Sequence, residues 1–566
     1  MIKKYLLNNS ISTYIYLALI LVAPIIEVAN TYIYYDMFNA VGSDNLNLVL
    51  KLMLKAIVFF VLDGLLRYWI SVVRQTIVFK ARTKLKEDYL EKLFEKNYSS
   101  FSKENVGVHI SSFTNDISLL EYKYFQGVLM LAEAMLTITI TGVAIFTLGL
   151  KKTMVAVIII GELVSIGVCF LAKKYSVRIN NRFFDGLANF TESLKDLFSC
   201  FFLFKNYGVE SHIYENFRTK NDNVENLKTD ADVTVNFVFT ISKMCTSFLK
   251  FVVVGLGVIF LVALNGTFAE IYISYQFTGQ IFTPTQNLIA RINDINSVNG
   301  LVKKFNKVLF GKTSLQADVC DDKENCLNDT SYPISFSDVS LVKGNKRILN
   351  HIELAFEPKK KYLIIGRNGA GKSSMLRLLK GYDTEYTGKI FIDGAEMKTY
   401  DSETLSKKIV YINEQVSLFC DSVFNNITMY KEYSDESIST AIKTAGLKVN
   451  LDRVISDGEV NLSSGERRRI ELARAYLSNA PVLVFDEAIS TLDIQTAYGI
   501  EKTMLEMEDR TIIFVSHNFS SSLIRKYDAI ILLSDGEIVD VGTHDQLMDS
   551  SELYRNIIRI KSGMAV

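Results

Sequence analysis

The chain has 566 residues, with 62 Lys and Arg balancing 62 Asp and Glu; a dedicated nucleic-acid binder would carry a basic excess. Hydrophobic residues make up 49% and the mean hydropathy is +0.18, so much of the chain is expected to face lipid. Five prolines exclude Pro-rich disordered and collagen-like classes, and six scattered cysteines with no neighbouring His form no metal cluster and are expected as free thiols in a reducing compartment.

The apolar weight lies in the first 300 residues, in six segments at about 13–38, 48–76, 122–150, 153–172, 235–265 and 268–300. Each holds a core near the roughly 20 residues that cross a bilayer as a helix. The first follows Lys3 and Lys4, exceeds a signal-peptide core and lacks a small-residue cleavage site, which predicts a retained span. The second connection carries Lys80, Arg82, Lys84, Lys86, Lys92, Lys96 and Lys103, and the fourth carries Lys173, Lys174, Arg178 and Arg182, whereas the loops at Gly42–Leu46 and Asn265–Thr267 carry no basic residue. The positive-inside bias then places both long connections and both termini in the cytoplasm of a multi-pass protein of the cell membrane; Lys151 and Lys152 dissent. Apolar spacing in Arg82–Phe94 and Thr191–Phe204 predicts that the helices continue beyond the membrane.

Residues 311–332 are polar and aperiodic, as a linker is. From Pro333 short apolar runs alternate with helical stretches: Tyr362–Ile365, Ile409–Ile412, Val482–Phe485, Thr511–Val515 and Ala529–Leu533. That alternation predicts an α/β domain.

Three elements of this second half carry chemistry. Gly366-Arg367-Asn368-Gly369-Ala370-Gly371-Lys372-Ser373-Ser374 fits G-x-x-x-x-G-K-[ST], directly after a strand and opening a helix. Such a loop turns backbone N–H groups onto phosphates, with Lys372 reaching the β/γ-phosphates and Ser373 binding Mg²⁺. Asp486 and Glu487 follow the apolar run Val482–Phe485, at the carboxyl end of a strand where α/β sheets place ligands. Asp486 suits Mg²⁺ and Glu487 suits polarising an attacking water. Leu462-Ser463-Ser464-Gly465-Glu466 precedes a helix that Ser463 would cap.

With these elements the chain resembles the ATP-binding-cassette transporters, specifically exporters with six helices fused to one nucleotide-binding domain. The resemblance covers nearly the whole chain and implies an all-α transmembrane domain over 1–310, a linker over 311–332 and an α/β P-loop ATPase domain over 333–566. Leu462–Glu466 matches the family's signature. Gln415 matches the glutamine that touches Mg²⁺ and senses the membrane domain, Ser490–Asp493 the D-loop, and His517 the switch histidine at the γ-phosphate. The resemblance implies ATP and Mg²⁺ as cofactors. It also implies a dimer, favoured as a homodimer because Glu487 is present, in which the P-loop of one chain and the signature of the other sandwich each ATP. Short coupling helices are expected at Gly107–Asp116 and Phe204–Phe217, with plain polar helix turns as the alternative. The sequence departs from the family at Lys343, where an aromatic usually stacks on adenine (Tyr332 comes too early), and at Ser464, where glycine is usual.

About a dozen residues precede the first span, too few for a leader peptidase. Polar stripes run along the third span (Glu133, Thr137, Thr141), the fourth (Glu162, Ser165, Cys169) and the fifth (Ser242, Thr246, Lys250). They fit either a wet translocation pathway or helix packing with Lys250 paired to an acid. Together with the aromatics of the first and sixth spans they point to an amphipathic substrate, a peptide first and then a drug or lipid. The expected activity is ATP-driven export by alternating access; the alternative is an ATP-gated channel or regulator.

Overall fold

The computed structural model describes residues 2–6, 11–41, 46–96, 101, 106–147, 152–264, 267–310, 334–344, 346–383, 385–456, 462–490, 492–516, 520 and 522–561. The chain divides into two compact units, one made of residues 1–94 and 105–311, the other of 95–104 and 312–566.

The first unit is helical. Its long helices are α1 (Ile11–Val41), α2 (Leu46–Phe94), α3 (Gln126–Thr147), α4 (Lys152–Ser199), α6 (Glu210–Leu264) and α7 (Phe268–Ser297), with a short α5 (Phe201–Tyr207) between α4 and α6 and a closing α8 (Asn299–Phe310). The apolar segments of the sequence centre on the six long helices, with residues 122–125 in the π-helical turn before α3, residues 298–300 past the end of α7, and residues 148–150 and 265 outside the described residues. Among the described residues two helices, Ile11–Ala40 and Val106–Thr147, are long and apolar enough by composition to cross a membrane. Helix α2 exposes Leu54, Ile57, Phe60, Val61 and Leu65 on its surface, as a lipid-facing helix does. Its far half packs inward: Ile77, Val78, Leu85 and Tyr89 join Tyr16 and Ile20 of α1, Phe125, and Val302 and Phe305 of α8 in one core. Asp88, buried in that core, accepts hydrogen bonds or charge from Tyr5 (2.8 Å), Lys4 (2.7 Å) and Lys84 (3.2 Å), as a buried carboxylate requires.

Helices α2 and α4 run unbroken through Arg82–Phe94 and Thr191–Ser199. The two expected coupling helices differ from expectation. Gly107–Asp116 is no separate short helix, because α-helical Val106–Ser111 runs through π-helical turns at Ser112–Asp116 and Leu120–Phe125 into α3. Phe204–Phe217 is divided by Gly208, whose φ of 64° ends α5. Glycine takes that left-handed position without the Cβ penalty that stops other residues there.

The polar stripes resolve into unequal parts. Glu133 pairs with Arg74 of α2 at 3.1 Å, and Thr137 donates to the Glu133 carbonyl. Lys250 lies 4.8 Å from the Tyr275 ring centre and pairs with no acid among the described residues, so the packing alternative is not supported in its form with a Lys250–acid pair. Ser165, Cys169, Ser242 and Thr246 have side chains outside the described set.

The second unit has two sheets. Strands β1 (Ile334–Lys343), β2 (Lys346–Phe356), β4 (Tyr386–Ile392) and β5 (Ala395–Glu396) form an antiparallel sheet in the order β2-β1-β4-β5. Strands β3 (Lys361–Gly366), β6 (Ile409–Ile412), β7 (Val482–Asp486), β8 (Thr511–Val515), β9 (Ala529–Ser534) and β10 (Glu537–Gly542) form the second, ordered β10-β9-β3-β8-β7-β6. All its pairings are parallel except β9–β10. All five apolar runs of the sequence are strands of this sheet. Their near-continuous burial, total along β7 and β8, is what a parallel sheet covered on both faces demands. The helices that matter for the site are α9 (Lys372–Leu379), α10 (Ser464–Leu477) and α11 (Ile494–Leu505).

Candidate functional site

The site forms at the carboxyl ends of β3 and β7. Gly366 closes β3, and a Cβ there would sit 2.2 Å from the Leu533 carbonyl of β9. Gly371 caps α9 at φ 104°, and a Cβ there would meet the Ile348 carbonyl at 2.8 Å. Only glycine fits either position, which explains the fixed glycines of the loop. Lys372 is buried and donates to the Gly366 and Arg367 carbonyls at 2.9 and 3.0 Å, which folds it over the loop. Burial holds its ammonium below the ordinary range, and the carboxylates of Glu487 and Asp486 work against that shift. Ser374 continues α9.

Ser373 donates to Asp486 Oδ1 at 2.9 Å, so the P-loop and the end of β7 meet as expected. Parallel pairing of β6 with β7 sets Tyr411 beside Val484, and the Tyr411 hydroxyl donates to Asp486 Oδ2 at 2.5 Å. Burial and the Asp486 carboxylate together push that phenol far above its usual range. Glu487 follows at φ 50°, a left-handed conformation unusual for a non-glycine residue, held by its N–H on the Val515 carbonyl at 3.0 Å and by Ser490 on its own carbonyl at 2.8 Å. Such outliers persist where surrounding bonds over-determine them. Hard oxygen donors at Ser373 and Asp486 suit Mg²⁺.

The remaining expected residues are placed but not joined to this cluster. Gln415 is exposed on the loop after β6. Ser463 and Glu466 form a reciprocal cap on α10, Glu466 N–H to Ser463 Oγ at 3.1 Å and Ser463 N–H to Glu466 at 2.8 Å. Ser464 is exposed as the first helical residue, and Gly465 backs onto Thr496 of α11. Asp493 caps α11 through the Thr496 N–H at 3.0 Å, and those backbone bonds hold its carboxyl below the usual range. Asn368, Gly369 and Ala370 lie in the loop as expected. His517 lies outside the described residues, as does Tyr332. Lys343 pairs with Asp383 at 2.8 Å.

Two residues of the site were not anticipated. One is Tyr411, whose role depends on strand register. The other is Arg468, buried to 1% exposure, which donates to the Asn413 carbonyl (2.7 Å), the Glu414 carbonyl (2.5 Å) and Glu471 (2.5 Å). Arg474 adds bonds to the Asn426 and Ser417 carbonyls at 2.8 and 3.2 Å. These two arginines tie the Gln415 loop to the helix that Ser463 caps.

Comparison with known proteins agrees with this geometry. Residues 13–285 match the ABC transporter transmembrane region and residues 349–490 match the ABC transporter domain. The chain is 27% identical over 538 residues to the glutathione/L-cysteine transport system ATP-binding/permease protein CydC of Bacillus subtilis, covering 90% of each. It is 25% identical over 539 residues to the ATP-dependent lipid A-core flippase of Idiomarina loihiensis, covering 89% of this chain and 88% of that one. The match to the corresponding flippase of Photobacterium profundum is 33% identical but spans only 38% of each chain. A bacterial Atm1-family ABC exporter with ATP bound superposes with a TM-score of 0.84 at 18% identity, over 97% of this chain and 99% of that one. The chain belongs to the ABC transporters, as an exporter-type half-transporter with its transmembrane region and ATPase domain on one polypeptide. It is a multi-pass membrane protein whose ATP-binding domain is an ATPase coupled to transport.

Proposed function

We propose that two copies of this chain export an amphipathic substrate from the cytoplasm by alternating access, with the ATPase unit and both termini on the cytoplasmic side. The observation that carries the reading is the convergence of Lys372, Ser373, Asp486 and Glu487 at the carboxyl ends of β3 and β7, the two parallel strands that flank β8. Gly366–Ser374 holds the phosphates of ATP, with Lys372 turning from the loop carbonyls to the β/γ-phosphates. Ser373 and Asp486, with Gln415 from its loop, would hold Mg²⁺, which when bound would supply positive charge against the phosphates. Glu487 accepts the proton of the attacking water from its left-handed position just past the end of β7. His517 contacts the γ-phosphate. Ser463, Ser464, Gly465 and Glu466 of one copy close over the nucleotide of the other, with the exposed N-terminus of α10 presenting its positive dipole end, and Asp493 lies on the same face beside Thr496.

The substrates in the relatives' names are lipid A and glutathione or cysteine. They support a lipid or small amphiphile ahead of the peptide favoured on sequence grounds. Vesicles containing the purified protein test the reading: an ATP-exporter accumulates a fluorescent amphiphile against its gradient, and Glu487→Gln abolishes accumulation. ATP-dependent flux that only runs down a gradient would favour the channel alternative.

A further inference from the structure

Glu162 of α4 is 9% exposed, and neither of its carboxylate oxygens has a hydrogen-bond partner. The Thr285 hydroxyl beside it donates to the Ile281 carbonyl at 2.8 Å. No basic side chain among the described residues forms an ion pair with it. Glu162 lines a cavity of about 210 Å³ between α3, α4 and α7, whose other walls include Ile145, Phe146, Ile159, Leu163 and Ile281. Gly142 opens the α3 wall: a Cβ built there meets nothing within 4 Å.

An unpaired carboxylate in hydrocarbon costs several kcal/mol, and a glutamate at such a position is costlier than a leucine or a glutamine. A proton on the carboxyl offsets that cost, and a positive charge brought into the cavity offsets it in the proton's place. Inorganic cations are poor candidates, since Mg²⁺, Ca²⁺ and similar ions require six or more oxygen ligands and this wall offers one carboxyl among hydrocarbon. An organic cation that carries its charge inside an apolar envelope fits both parts: its surface meets Ile145, Ile159, Leu163 and Ile281, its charge faces Glu162, and the Phe146 ring adds a face that attracts cations.

We propose that this cavity is a binding site for hydrophobic monovalent organic cations, with Glu162 as the counter-charge. The inference rests on the reading of the protein as an exporter of amphipathic substrates and narrows it to a charge class.

The test uses the full-length protein in lipid nanodiscs and two probes of matched shape and opposite charge, tetraphenylphosphonium and tetraphenylborate, measured by equilibrium dialysis. Tetraphenylphosphonium binds saturably to the parent protein. Glu162→Gln weakens it about tenfold or more and Glu162→Asp by about threefold or less, while tetraphenylborate is insensitive to both. Gly142→Leu fills the cavity without touching the charge and also weakens tetraphenylphosphonium, which keeps the test decisive if the glutamine variant does not fold. Equal phosphonium binding by the parent and Glu162→Gln, equal weakening of both ions, or no effect of Gly142→Leu would each overturn the site. Vesicle transport separates this from the broader reading. ATP-driven accumulation of a neutral amphiphile with no phosphonium binding leaves the exporter standing and removes the cation site. Absence of any ATP-driven accumulation alongside normal phosphonium binding does the reverse.

Discussion

The Tyr411 hydroxyl and the Asp486 carboxylate are joined at 2.5 Å, and Ser373 takes the other carboxylate oxygen at 2.9 Å. Both oxygens of Asp486 are therefore oriented from opposite sides, one by strand β6 and one by the P-loop. A hydrogen bond to a charged group is worth about 1.5–3 kcal/mol. Tyr411→Phe frees the carboxylate to rotate, so kcat for ATP hydrolysis should fall about tenfold and the half-saturating Mg²⁺ concentration should rise. ATP affinity measured in EDTA should stay unchanged. An unaltered Mg²⁺ titration would show that Ser373 alone orients Asp486.

Glu487→Gln removes the proton acceptor while preserving shape and the Val515 hydrogen bond of its backbone. Nucleotide binding should persist, hydrolysis should fall by about 10²–10⁴, and ATP should trap a closed dimer visible as a compact species by size-exclusion chromatography. Hydrolysis near the parent rate would reassign the base.

Arg468 and Glu471 are both pushed by burial toward their neutral forms, against the pull of their own pairing. Arg468→Met leaves Glu471 and two loop carbonyls without their donor, and breaking such a buried pair costs about 3–5 kcal/mol. The thermal midpoint of the full chain should drop, and Arg468→Met/Glu471→Leu should recover most of the loss. Substrate-stimulated ATPase should remain low in the double variant, because the Asn413 and Glu414 carbonyls are still untethered. Full recovery of stimulation would mean that the tether is only structural.

Lys343→Tyr exchanges an exposed ion pair with Asp383, worth about 0–1 kcal/mol, for an aromatic at the position where the family stacks adenine. Base–aromatic stacking is worth about 1–3 kcal/mol, so the KM for ATP should fall and the advantage of ATP over GTP should widen. Unchanged kinetics would place the base against another ring.

The parts of this protein that were legible in its sequence are those encoded by neighbours in the chain. The P-loop, the five buried strands and the Ser463 cap each depend on a few consecutive residues, and all occur as expected. Tyr411 was invisible because its partner lies 75 residues away and is reached only through the β6–β7 register. Arg468 looked like one more basic residue in a run of three until packing enclosed it. The break at Gly208 did carry a signal, a glycine following an apolar helical turn, the usual residue just past a helix end. Reading Phe204–Phe217 as continuous passed over it.

Helices α2 and α6, of 49 and 55 residues, are about 74 and 82 Å long at 1.5 Å per residue, more than twice the roughly 30 Å of a bilayer core. Such rods act as levers. A tilt of about 5° pivoted at one end of α6 sweeps the other end through about 7 Å, more than a full helical pitch. Substrate-sized adjustments near the fulcrum thus become displacements large enough to exchange one set of contacts for another at the far tip. The mechanical gain is written into helix length alone, and shortening α2 and α6 by whole turns would lower it without changing a single residue of either site.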